Sequence, residues 1–295
     1  MNRASSIPLV SGPGLCSQRD AVSSASHTRA DTRGSHVVQE ARYASFYARR
    51  RRVRRWFRFD VRYRCRRLHE VLSALDVDVR AARVLDYGFG GGDLLETFAS
   101  GCELHGVEIS ESAVAAACAD ARFSRFRKAE FTRVPGDRPE RIPHGPFDLI
   151  VSSHTLEHVP DDGAALRALR ARLAPGGVAA FFVPIEEPDY IGFHLRNYSL
   201  QSIAERVEQA GFELLHVEGS MYVNGHVWKL VTIPSRRDWP LVGPLVDAVR
   251  LATLSSFPYP ALRAADQLLY RLGFGARQAL VVARSRGVGS RAEDP

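Results

Sequence analysis

The residues best placed to do chemistry are an acid, Asp86, followed by glycines at 88, 90, 91 and 92, and a second acid further on, Glu108. A short apolar run at 84–85 leads into Asp86, and a helical pattern resumes at Asp93, so a buried strand should end in a tight turn that opens a helix. Glycine is needed where the backbone takes positive φ or must approach a ligand closely. Such a turn cradles something. A second short strand, 103–107, ends at Glu108, where a carboxylate can accept both protons of a vicinal diol. Further along, Ser153, His154, Glu157 and His158 follow one apolar strand, and His194 with Tyr198 follows the next. An imidazole at a strand end could take a proton from a hydroxyl.

Spacing separates two kinds of ligand for the glycine turn. A dinucleotide loop needs Gly-x-Gly-x-x-Gly with a pyrophosphate on the helix N-terminus. Here Gly88, Gly90 and Gly92 fall at every second position behind Asp86. Acid-x-Gly-x-Gly-x-Gly resembles motif I of the class I S-adenosylmethionine-dependent methyltransferases, whose ligand carries a positive charge and no phosphate. The resemblance implies S-adenosylmethionine as cofactor, held by Asp86, Tyr87, Gly88, Gly90, Gly92, Glu108, Ile109 and Ser153. Phe89 stands where that motif often has a small residue or cysteine.

Strand and helix patterns then alternate, as in a parallel sheet with helices on both faces. Helices are expected at 61–75, from Asp93, at 112–121, 166–173 and 200–210. Strands are expected within 123–132 and at 147–151, 178–183, 212–217 and 279–284, with Pro175-Gly176-Gly177 as a stop before the fifth. Phe-Asp-Leu-Ile-Val, Leu-Ala-Pro-Gly-Gly and Ala-Gly-Phe each resemble their counterparts in the same family. The fold implied is α/β: a Rossmann-like, doubly wound, seven-stranded sheet whose last strand is antiparallel, inserted between the fifth and sixth. The domain reading is a tail at 1–37, basic and aromatic helices at 38–80, a methyltransferase core at 81–219, a helical insertion at 220–278, the last core strand at 279–286 and a second tail at 287–295.

Leu-Glu-His-Val-Pro-Asp at 156–161 resembles a segment of small-molecule methyltransferases, including the quinone-biosynthesis type. The Asn/Asp-Pro-Pro-aromatic tetrad of the amino-directed DNA and protein-glutamine enzymes is missing, which argues against base amines as acceptors. The expected activity is methyl transfer to a small or lipid-like metabolite, at oxygen, with His154 or His194 as base. Glu157, His158, His194 and Tyr198 have blander readings as loop-holding groups, and two adjacent ligands do not make a metal site, so no metal is expected.

The net charge of +7 is concentrated in arginines between 49 and 67, interleaved with Trp56, Phe57 and Phe59. That segment either packs on the sheet by its aromatic side or binds RNA or protein, the rival reading. A second rival is a non-catalytic binding protein of the same fold. The four cysteines lack Cys-x-x-Cys spacing and no secretory h-region opens the chain, so a cytoplasmic location is expected. No apolar run is long enough to span a membrane. Trp239, Leu241, Leu245, Val249 and Leu251 could form a peripheral membrane contact, a substrate cover or a dimer contact.

Overall fold

The computed structural model describes residues 59–185, 194–223 and 242–286. Both expected tails, the arginines at 49–58 and the stretch 224–241, with Trp239 and Leu241, lie outside the described residues.

Among the described residues seven strands form one sheet: β1 (Arg83–Tyr87), β2 (Glu103–Glu108), β3 (Lys128–Arg133), β4 (Phe147–Ser153), β5 (Leu173–Pro184), β6 (Phe212–Ser220) and β7 (Gln278–Ser285). Their order is β3-β2-β1-β4-β5-β7-β6. The first five are mutually parallel, and β7 runs antiparallel between β5 and β6. The expected topology is therefore observed. Chain direction across the sheet reverses between β1 and β4, which opens a crevice at the carboxyl ends of those strands.

Six helices flank the sheet among the described residues: α1 (Phe59–Ala74), α2 (Glu111–Cys118), α3 (Asp162–Arg170), α4 (Leu200–Gln209), α5 (Val242–Ala252) and α6 (Pro258–Arg271). Alternation along the strands divides the core into two layers. Leu85, Ile150, Phe181 and Val281 face one way, toward Leu166 and Leu169 of α3 and Ile203 and Val207 of α4. Val84, Leu149, Phe182 and Val282 face the other, where α1 lays down Cys65, Leu68, Val71 and Leu72. On its far side α1 meets α6 through Phe59, Tyr63, Tyr259 and Leu262, joined by Met221.

Three expectations are corrected. The helix predicted from Asp93 is only a single 3₁₀ turn, Leu95–Thr97. Ten residues separate Gly92 from Glu103, and they must return the chain along a strand roughly 17–20 Å long. As a helix they would span only about 15 Å. The Pro-Gly-Gly stop does not precede β5 but lies inside it: Leu173 pairs with Phe147, the chain bulges, and pairing resumes at Leu149 with Val178. Gly177 passes so close to Phe147 that a Cβ would meet its carbonyl oxygen at 2.8 Å. The helix expected at 166–173 starts earlier, because Asp161 caps it by accepting the Ala164 N–H at 2.8 Å.

Candidate active site

The glycine turn after β1 is built by left-handed backbone. Gly88, Gly90 and Gly92 have φ of 83°, 56° and 72°. Gly88 is also hemmed in: a Cβ there would lie 2.1 Å from Thr155 Oγ1 in the turn after β4. The turn is anchored by Gly88 N–H donating to Val107 O at 2.8 Å and Gly92 N–H to Phe89 O at 2.8 Å. Phe89, the departure from the motif, is buried against Phe131 and leaves the glycine conformations intact.

Glu108 closes this turn from the end of β2. Its Oε2 accepts the Gly90 N–H at 3.0 Å, and its Oε1 accepts the N–H of Ile109 at 2.8 Å and of Ser110 at 3.4 Å. The carboxylate is thus oriented by backbone donors, with acceptor capacity left over. Burial raises its pKa, and the three backbone bonds counter that only in part. Asp86 is buried too, and among the described residues its Oδ1 has no hydrogen-bond partner. Burial first, and then the nearby Glu108 charge, push its pKa well above the usual carboxylate range. Tyr87 is buried in the core beside Leu85, and Ser153 ends β4 across the crevice.

The turn after β4 places His154 at φ 56°, its N–H on Phe182 O at 2.9 Å. Arg64 of α1 approaches this imidazole, Nη1 to Nε2 at 3.1 Å. The same Nε2 also lies 3.2 Å from Gln278 Oε1, so this nitrogen faces a donor in Arg64 and an acceptor in Gln278. Nδ1 lies 3.9 Å from Glu157 Oε1. Gln278, the first residue of β7, has its Oε1 3.4 Å from the same Nη1 and donates through its amide nitrogen to Ser220 Oγ at 3.1 Å. Burial, reinforced by the Arg64 charge, pushes the His154 pKa down to about 3.

His194 is brought in by a different device. Arg196 donates to the carbonyls of Leu156, Val159 and Pro160, and Leu195 N–H donates to Glu157 O at 2.8 Å. This clasp sets His194 edge-on to His158, with ring centroids 4.9 Å apart. Glu157, His158 and His194 each present one ligand atom, all within 4.8 Å of one another, a spacing that could hold an ion. Tyr198 does not join them: its hydroxyl donates to Asp162 Oδ2 at 2.7 Å beneath α3.

The structure therefore divides the two candidate bases between two clusters that share Glu157. Arg64 and Gln278 escaped the sequence reading. The signal for Arg64 was present, since it shares the apolar stripe side of α1 with Cys65 and Leu68 yet carries a charge. Nothing local marked Gln278, which is 124 residues from His154. Among the described residues no helix is long and apolar enough to cross a membrane.

A family model described as "Methyltransferase domain" matches residues 56–217. The ubiquinone biosynthesis O-methyltransferase of Bordetella avium is 33% identical over 113 residues, covering 38% of this chain and 46% of that protein. The enzyme of the same name from Acinetobacter baumannii (strain AYE) is 29% identical over 124 residues, covering 39% and 52%. The chain thus matches about half the length of these relatives. Among solved structures, the Burkholderia thailandensis 1,6-didemethyltoxoflavin-N1-methyltransferase superposes with a TM-score of 0.54 at 18% identity, covering 89% of this chain and 94% of that one, a likeness of fold. Matched over more than half its length by that model, the chain belongs to the methyltransferase-domain family, that of the class I S-adenosylmethionine-dependent methyltransferases.

Proposed function

We propose that this protein transfers the methyl group of S-adenosylmethionine to a small or lipid-like metabolite, at an oxygen atom. The observation that carries the cofactor half is the pair of buried acids at the glycine turn. Glu108 is pre-oriented by three backbone N–H groups, and Asp86 keeps a buried oxygen without a partner among the described residues. A ligand with a diol and an ammonium group answers both needs, whereas a pyrophosphate would meet two carboxylates. S-adenosylmethionine supplies an activated methyl on sulfur.

The chain's own part is to bind, orient and manage one proton. Gly88, Gly90 and Gly92 let the backbone close on the ligand, Glu108 takes the ribose hydroxyls and Asp86 the aminoacyl end. Tyr87, Ile109 and Ser153 flank the site at the ends of the first, second and fourth strands. His154 is a poor base in this setting: its Nε2 is engaged by Arg64 and Gln278, and burial with the Arg64 charge holds its pKa down. Removal of an acceptor hydroxyl proton falls instead to His194 beside His158, with the buried Glu157 carboxylate to balance the charge gained. Oxygen as the acceptor atom is supported by the relatives' names, O-methyltransferases of ubiquinone biosynthesis.

The RNA or protein reading draws less support from the described part of the basic segment. Arg64, Arg66 and Arg67 are turned to Asp60, Glu70 and Glu218 within the fold. Calorimetric titration with S-adenosylmethionine and S-adenosylhomocysteine tests the proposal. Micromolar binding that weakens at least tenfold in Glu108→Ala, about 1.4 kcal/mol, is the expected result. A folded protein that binds neither ligand would overturn it.

A further inference from the structure

Arg64 differs from its neighbours on the same helix. Arg67 is saturated by a carboxylate: Nε and Nη2 each donate at 2.7 Å to the two oxygens of Glu218. Arg66 donates from Nε to Glu70 at 3.0 Å and from Nη1 to Leu254 O. Arg64 is the most buried of the three, with 9% of its side chain exposed against 33% and 16%. Its only carboxylate among the described residues is a single oxygen of Asp60, 3.2 Å from Nη2, on a side chain that is 42% exposed. The remaining partners, His154 and Gln278, are neutral and both take Nη1.

A buried guanidinium needs opposing charge more than an exposed one does, because water compensates it less. The Nε–Nη2 edge is the one through which Arg67 and Arg284 grip carboxylates in this same chain. On Arg64 that edge carries one bond, to a residue at the solvent boundary, and Nε has no partner among the described residues. A ligand carboxylate that displaces Asp60 could take both positions of the fork, two charge-assisted bonds in place of one. The place is right for an acceptor: the next residue after His154, Thr155, borders Gly88 of the cofactor turn.

We propose that Arg64 is the anchor for a carboxylate on the methyl acceptor, so that the substrate is a hydroxylated acid; the word acceptor rests on the methyl-transfer reading, the anion site does not. Asp60 holds the position of that carboxylate on Nη2 and is displaced by it. His154 and Gln278 hold the guanidinium in place.

The test is calorimetric titration of the full chain, saturated with S-adenosylhomocysteine, with benzoate and with benzamide, which match in shape and differ in charge. Benzoate is expected to bind at least tenfold tighter. Arg64→Met should erase that difference and Arg64→Lys should keep part of it, with thermal unfolding showing that each is folded. Asp60→Asn should tighten benzoate at least threefold by clearing the fork, and it decides the matter if Arg64→Met does not fold. Benzoate no tighter than benzamide in the wild type, undetectable binding of both included, overturns the proposal, as does a preference that survives in folded Arg64→Met. Failure of S-adenosylhomocysteine to bind would sink the methyl-transfer reading alone, and the same pair of titrations without it would still decide the anion site.

Discussion

The β1–β2 strand ends and the α1–β6–α6 packing are opposite in electrostatic design. At the β1–β2 end, Asp86 and Glu108 are buried carboxyls served by backbone amides or by nothing, and burial raises both pKa values. At the α1–β6–α6 end, carboxylates are gripped by arginines. Glu218 accepts from Arg67 and Arg263, and burial notwithstanding, the His216 imidazole 3.2 Å away and the bonds from Arg67 hold its pKa at about 2. Tyr63 links Arg263 to Asp266, donating to the carboxylate at 3.0 Å, and Tyr259 donates to Glu70 at 2.8 Å. On the proposed function, the difference separates buried acids that are structural from those that meet a ligand. A structural acid such as Glu218 has its cation within the chain, whereas an acid that meets a cationic ligand, as proposed for Asp86, is left without one and costs stability until the ligand binds.

Three measurements could break this contrast. The largest effect is expected from Gly88→Val, which puts a branched side chain at positive φ against Thr155. Cofactor affinity should fall at least a hundredfold by titration, about 2.7 kcal/mol. Retained affinity would mean that the turn does not hold the ligand. Next, Glu218→Gln leaves Arg67 and Arg263 facing a neutral amide and should cost about 3 kcal/mol in urea unfolding at pH 7. The sign with pH follows from linkage: a carboxyl depressed from 4.5 to about 2 stabilises fully above 4.5, and that stability is lost as pH falls through 2. The gap between wild type and variant should therefore close over that window, and a gap constant with pH would show that packing, not charge, was removed.

The smallest and most discriminating effect concerns Asp86. Its folded pKa lies above the ordinary 3.8, so without ligand the fold loses stability as pH rises from that value through the folded one, because the unfolded chain ionises first. A ligand ammonium reverses this by favouring the carboxylate. Affinity for S-adenosylhomocysteine should rise with pH and level off once Asp86 is ionised in the empty chain. Asp86→Asn should flatten the profile; an unchanged slope in the variant would place the titrating group elsewhere.

Most of the sheet was legible because its signals are local. Period-two and period-3.6 apolar patterns and strand-ending glycines each report a few neighbouring residues, and the seven-stranded order followed from the family resemblance. Failures came where chain length or pairing overrode pattern. The residues after Gly92 have helical character but too few of them to cross the sheet as a helix, and Pro175-Gly176-Gly177 reads as a break although pairing with β4 carries the strand around it. In the proposed site, Asp86, Gly88, Gly90, Gly92 and Glu108 stood out by their spacing together with the family resemblance, and the structure puts the turn against the strand end through the Gly90 N–H bond to Glu108.

What the sequence determined by itself is the β1–β2 half, since an acid, alternate glycines and a second strand-end acid form one contiguous unit whose backbone geometry depends on residue type. What only the tertiary structure decided is the other half: that Arg64 and not Arg62 or Arg66 turns to His154, that Gln278 arrives from β7, and that Arg196 draws His194 to His158. The physical reason is that a side chain's protonation and partners are set by burial and by charges distant in sequence, which exist only once the helix has docked and the antiparallel strand has closed the sheet.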